Sequence, residues 1–141
     1  PLASDGFVLL IPQGHALARS RKPLSWAEVA QLSHISMPLP SSVRQYADAA
    51  FLEHRIRFAP QFELEHLASI KALVSAGLGV AALPELAANV GADENIVRRP
   101  LHAPDLRRPV GLVTLRGKSL SPAAAAMVEL LRETMKAFAQ P

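Results

Sequence analysis

Cysteine is absent from the 141 residues. That excludes a disulfide framework, a thiolate zinc site and a cysteine nucleophile, and it accords with a reducing, cytoplasmic setting. Aromatics are scarce, with one Trp, one Tyr and five Phe, so the core has to be assembled from Ala, Leu, Val and Ile, as is usual in α/β proteins. No apolar stretch reaches the ~20 residues of a membrane span before Pro, Gly or a charge interrupts it; a soluble protein without a membrane partner is expected. Neither sign of charge dominates, the net value being +3 with His neutral. The basic groups fall in small clusters, Arg19, Arg21 and Lys22, then Arg98 and Arg99, then Arg107 and Arg108. No helix is basic along a stripe, so direct contact of this chain with DNA is not expected. Pro1, Leu2, Ala3, Ser4 and Asp5 open the chain with no initiator Met and no apolar leader, and a truncated start without a signal peptide is the expectation.

Several chemistries are excluded by spacing. The five His make no pair at helical ligand spacing and have no Cys partners, so no metal site is expected. Gly111 and Gly117-Lys118-Ser119 approximate a phosphate-binding loop, but five residues separate the glycines where the motif needs four. Pro122 also opens the next helix too late for Lys118 and Ser119 to lie in its first turn. No Gly-x-Ser-x-Gly elbow presents a nucleophile. No cofactor and no catalytic residue is expected, and the chain is read as a non-enzyme.

What is present is an alternation of short apolar runs with helical periods. Phe7-Val8-Leu9-Leu10-Ile11, closed by Pro12, predicts a strand covered on both faces. Ser25-Trp26-Ala27-Glu28 is a capping box opening a short helix to about Leu32, with Leu24 and Val29 spaced as a hydrophobic staple. Residues 34–37 predict a strand, stopped by Pro38-Leu39-Pro40. A helix follows whose inner face is Val43, Ala47, Ala50, Phe51 and His54, with Arg44, Asp48 and Arg55 off that face. Residues 61–65 alternate as a strand does, and Leu67, Ile70, Leu73, Val74 and Gly77 return to the helical period, with Gly77 as a left-handed cap. Residues 80–83, 96–101 and 109–115 are further strand candidates, and a turn of helix follows Glu85. Ser121-Pro122 opens the last helix, with Ala124, Met127, Val128, Leu131, Met135 and Phe138 as its apolar face. The fold class is therefore α/β, a five- or six-strand, largely parallel sheet with helices on both faces and ligand sites beyond the carboxyl ends of its strands.

The segment Phe51-Leu52-Glu53-His54-Arg55-Ile56-Arg57-Phe58-Ala59-Pro60, then Glu65, then Ile70-Lys71-Ala72-Leu73-Val74-Ser75-Ala76-Gly77-Leu78-Gly79-Val80-Ala81-Ala82-Leu83-Pro84 resembles the effector domain of LysR-type transcriptional regulators. Pro12-Gln13-Gly14-His15-Ala16-Leu17-Ala18 is similar to that family's loop after its crossing strand, and residues 96–101 and 119–131 are similar to its later strand and terminal helix. The resemblance implies a periplasmic-binding-protein type II-like, Rossmann-like clamshell of which this chain is about half. Residues of about 12–107 would form subdomain two, and 1–11 with 108–141 would belong with subdomain one. It also implies a small-molecule effector such as an organic acid, a homodimer or tetramer in the intact regulator, and DNA binding only through an amino-terminal domain that this chain lacks.

In such a clamshell the loop after the second strand of subdomain two faces the effector. Carried over, that loop is Pro38, Leu39, Pro40, Ser41 and Ser42. Independently, the free amides of Val43 and Arg44 at a helix start attract a carboxylate, supplemented by the hydroxyls; the equal alternative is a Ser42–Gln45 capping box with no other role. Glu65 and His66 end a strand at the same edge; His66 either donates to an anion or, by preference, caps the next helix. Thr114, near the end of the returning strand, is a further candidate whose facing depends on register. An exported solute-binding protein of the same fold is the alternative function. The two differ upstream of Pro1, where one gene encodes a signal peptide and the other a helix-turn-helix. A small α/β enzyme is a third possibility without a catalytic constellation to support it.

Overall fold

The apolar run at residues 7–11 forms the middle of β1 (Ala3–Pro12), and Phe7, Val8, Leu9, Leu10 and Ile11 are all buried, as a strand covered on both faces requires. In the computed structural model, which describes residues 2–91 and 93–138, β1 lies between β5 (Ala81–Pro84) and β6 (Ile96–His102) and runs antiparallel to both. β2 (Leu24–Ser25) extends the sheet by pairing parallel with β6, and β7 (Arg107–Val110) pairs with β1, completing five strands. β3 (Ile35–Ser36) and β4 (Phe62–Glu63) form a parallel pair, joined to β5 through a single parallel bridge between His34 and Val80.

A largely parallel sheet was the expectation, and the central strand corrects it. Parallel pairing appears where a helix carries the chain back, as α2 (Ser42–Glu53) does between β3 and β4. No such crossover links β1 directly to its two neighbours, and it runs against both.

The chain divides into two compact units, Gly6–Leu106 and Pro1–Asp5 with Arg107–Pro141. In the first, the capping box forms in both directions: the Glu28 amide donates to Ser25 Oγ at 3.2 Å and the Ser25 amide to Glu28 Oε2 at 2.8 Å. It starts α1 (Trp26–Val29), shorter than the sequence implied, and both staple residues, Leu24 and Val29, are buried. α3 (Leu67–Ser75) ends as predicted on Gly77 at φ 80°, where the Leu78 amide reaches Leu73 O and the Gly77 amide reaches Val74 O. α4 (Glu85–Ala88) is a single turn after β5. The core centres on Trp26, Phe51, Leu9, Leu10, Ile11 and Ile35, with the Trp26 and Phe51 rings edge to face at 5.2 Å.

In the second unit the Asp5 carboxylate, almost wholly buried, accepts from Arg108 at 3.0 Å, and Arg107 donates to Ser4. α5 (Pro122–Phe138) starts with the Ser121 hydroxyl accepting from the Ala124 amide at 3.2 Å. Ala124, Val128, Leu131 and Met135 are half-buried along one stripe, whereas Met127, assigned to the same face, is exposed. The Phe138 side chain lies outside the described residues.

Candidate functional site

β3 and β4 lie side by side with Ile35 opposite Phe62 and Ser36 opposite Glu63. Because they are parallel, both chains leave at the same edge, and each turns within a few residues into a helix. α2 has Ser41 at its N-cap position and α3 has His66, and neither side chain makes a capping hydrogen bond. Every helix start leaves amides without intrahelical acceptors. Here the amides of Ser42, Val43 and Arg44 and those of Leu67, Ala68 and Ser69 are left to whatever occupies the space in front of them. Two positive helix ends at one sheet edge favour an anion.

The loop at residues 38–42 forms the wall of this edge. Leu39, Pro40 and Ser42 are exposed, Pro38 and Ser41 half-buried, and the Val43 side chain is buried beneath them, so Val43 can offer only its amide. The loop is held from below. The Gln45 amide side chain donates to Pro40 O at 3.0 Å, the Ser41 amide to Pro38 O at 3.1 Å, and the Ser41 hydroxyl to Met37 Sδ at 3.4 Å.

Three readings are corrected here. A Ser42–Gln45 capping box does not form, because the helix starts one residue earlier relative to its cap: Ser41 takes the N-cap position and Gln45 turns back to Pro40. His66 occupies the N-cap of α3 but does not cap it, so its imidazole and the exposed Glu65 are both free for solvent or ligand. Thr114 is the third correction. β7 stops at Val110, and Thr114 lies beyond it in an exposed, non-regular segment of the other unit, where register no longer governs its facing. Residues 111–115 pair with no neighbouring strand among the described residues.

Arg44 is the residue that sequence reasoning missed. It was placed off the buried face of α2, yet it is 8% exposed. Its guanidinium donates to Asp48 at 2.9 Å and to Glu63, reaches toward Met37 O at 3.5 Å, and lies 5.1 Å from the centre of the Phe58 ring. Burial works against the charge, but the hydrogen bonds to Asp48 and Glu63 outweigh it and raise the pKa above the ordinary arginine value. Arg44 thus ties α2 to the end of β4 and fixes the spacing of the two helix starts. The (i, i+4) pair with Asp48 was visible in the sequence, whereas Glu63 and Phe58 reach it only through the fold. Among the described residues, no group of three or more His, Asp or Glu side chains converges as a metal site would require.

The family model described as LysR substrate binding domain matches residues 1–136. The chain belongs to this family. Among curated relatives of this LysR-type domain, the uncharacterized HTH-type transcriptional regulator YbhD of Escherichia coli is 31% identical over 131 residues, 93% of this chain and 41% of that protein. The chain therefore spans well under half the length of that relative. Among solved structures, the Synechocystis CcmR regulatory domain in complex with 2-PG superposes with a TM-score of 0.80 at 20% identity, over 96% of this chain and 65% of the other. The effector binding domain of QuiR in complex with shikimate gives 0.76 at 23% identity, over 97% and 64%. The α/β, periplasmic-binding-protein type II-like fold expected from the sequence is the fold of these domains.

Proposed function

We propose that the chain is the effector-sensing part of a LysR-family transcriptional regulator, and that the loop of Pro38, Leu39, Pro40, Ser41 and Ser42, with the Val43 amide in the first turn of α2 and the start of α3 after His66, holds a small anionic effector. The observation that carries this reading is the pair of uncapped helix starts on adjacent parallel strands. Each favours negative charge by about 0.3–1 kcal/mol when exposed. That is too little to hold a metabolite, so a second wall is needed for useful affinity. Residues 1–11 and 108–141 are assigned to the other subdomain of the clamshell. DNA is bound through a separate helix-turn-helix domain, and the intact regulator is a homodimer or tetramer acting in the cytoplasm without catalysing a reaction. The HTH-type relatives favour this reading over an exported solute-binding protein.

Calorimetry on the intact regulator tests it, with a panel of small carboxylates that includes shikimate, and with 2-PG. Ser41→Ala combined with Ser42→Ala is expected to weaken the best ligand by about fivefold to tenfold while DNA affinity stays unchanged. Since neither hydroxyl caps α2, the thermal midpoint should not move. Unchanged ligand affinity in a stable double variant would shift the site to Glu65 and His66.

A further inference from the structure

On the flank of β6, Arg99 meets the basic cluster of Arg19, Arg21 and Lys22, which lies about eighty positions earlier in the sequence, whereas its neighbour Arg98 turns away to Asn89. Arg99 donates to Lys22 O at 2.5 Å and toward Leu17 O at 3.4 Å. Its guanidinium therefore ties the short 3-10 helix Ala16–Arg19 and the loop that follows it to Lys22 against β6, and because its partners are neutral carbonyls its own charge is not paired by them. This segment displays Arg19, Arg21 and Lys22, all exposed and, among the described residues, none in an ion pair. Glu28 feels Lys22 and His102 through space but is itself engaged by Ser25. The Lys22 amide donates to Ser20 Oγ at 3.3 Å, and the hydroxyl proton stays available.

Between the loop and the strand runs an open groove of about 510 Å³, lined by Ala18, Arg19, Ser20, Arg21 and Arg99 and flanked by the exposed Pro23 and Pro100. That volume suits a metabolite. Several guanidinium forks on one open groove match a compact anion with several oxygens. A single carboxylate would leave most of the cations unpaired. A DNA duplex would need cations strung along its backbone, and this cluster occupies one short loop.

We propose that this groove is a second ligand site, for a small multiply phosphorylated anion. It shares no residue with the loop at 38–42 and rests on geometry independent of that site.

Titrating the full chain with inorganic pyrophosphate tests the proposal, with orthophosphate, sulfate and a random-sequence DNA duplex at matched ionic strength as comparisons. Pyrophosphate is expected to bind one to one and more tightly than orthophosphate or sulfate. Arg19→Ala with Arg21→Ala should weaken it at least about tenfold, at an unchanged thermal midpoint because both side chains are exposed. Arg99→Lys keeps the charge but cannot span two carbonyls, so it should weaken binding by a smaller factor through a loosened loop. Arg21→Gln alone serves if the double variant does not fold. The proposal fails if pyrophosphate does not saturate, if orthophosphate or sulfate binds equally well, or if the arginine variants bind like the parent. It also fails if Ser41→Ala with Ser42→Ala abolishes binding, which would send the anion to the other site, or if the duplex binds more tightly through the same arginines, which would make this a nucleic-acid surface.

Discussion

The two compact units are built from equally apolar patterns, yet they bury them very differently. Every hydrophobic residue that is buried among the described residues belongs to Gly6–Leu106, whereas Leu112, Val113, Leu115, Leu120, Met127 and Leu130 of the other unit are all exposed. In the second unit, order along the crossing segment comes from polar ties, Asp5 with Arg108 and Ser4 with Arg107. An amphipathic stripe is therefore only a capacity for burial. It contributes stability where other elements cover it and almost nothing where they do not.

The comparison is sharpest at Phe51. Its ring meets Trp26, His34 and Phe58 and is wholly buried, so Phe51→Ala should cost about 3–5 kcal/mol, read as a lower urea midpoint. A loss under about 1 kcal/mol would mean that the first unit is not the seat of stability. Gly79→Ala comes next. An added Cβ would lie 2.6 Å from Ser33 O and 3.2 Å from Ile35 Cγ1, and because a backbone carbonyl cannot swing away the cost should be about 1–3 kcal/mol by the same measurement.

His34 makes the contrast dependent on pH. Its Nε2 lies 2.8 Å from the Val29 carbonyl, which can only accept, so Nε2 carries the proton and the buried Nδ1 has no hydrogen-bond partner among the described residues. Burial lowers the pKa from the ordinary 6.5, with the Val29 hydrogen bond opposing more weakly. Below pH 6.5 the unfolded chain takes up a proton that the folded one resists. Stability is thus full above pH 6.5 and declines as pH falls from there toward the lowered folded value. Urea midpoints at neutral and mildly acid pH should therefore diverge in the parent and converge in His34→Phe; equal slopes in both would assign the acid sensitivity elsewhere.

The smallest expected effect completes the comparison. Leu130→Ser removes an apolar side chain from α5 that is 57% exposed, and it should change stability of this chain by no more than about 0.5 kcal/mol. A loss of several times that, seen in thermal melts, would show that α5 is covered in solution.

The ordering of strands and helices was legible because it rests on local chemistry. Ser25 and Glu28 cap each other within a single turn, Gly77 alone supplies the left-handed cap that α3 needs, and the run at residues 7–11 is apolar on both faces. The loop at residues 38–42 could also be placed, since a strand stopped by prolines before a helix has few alternatives. What sequence could not settle was every relation that depends on a distant partner. The antiparallel setting of β1 is decided by β5 and β6. The burial of Arg44 waits for Glu63 and Phe58 to neutralise and cover it. The end of β7 at Val110, which removes Thr114 from any strand, follows from the lack of a further pairing strand among the described residues. Arg99 meets the loop at residues 17–22 only because the sheet lays β6 beside it. Capping, periodicity and turn formation are energies between near neighbours, so the sequence by itself determined them. Strand direction, ion pairing and the convergence of charges are energies between remote ones, and the tertiary structure alone decided those.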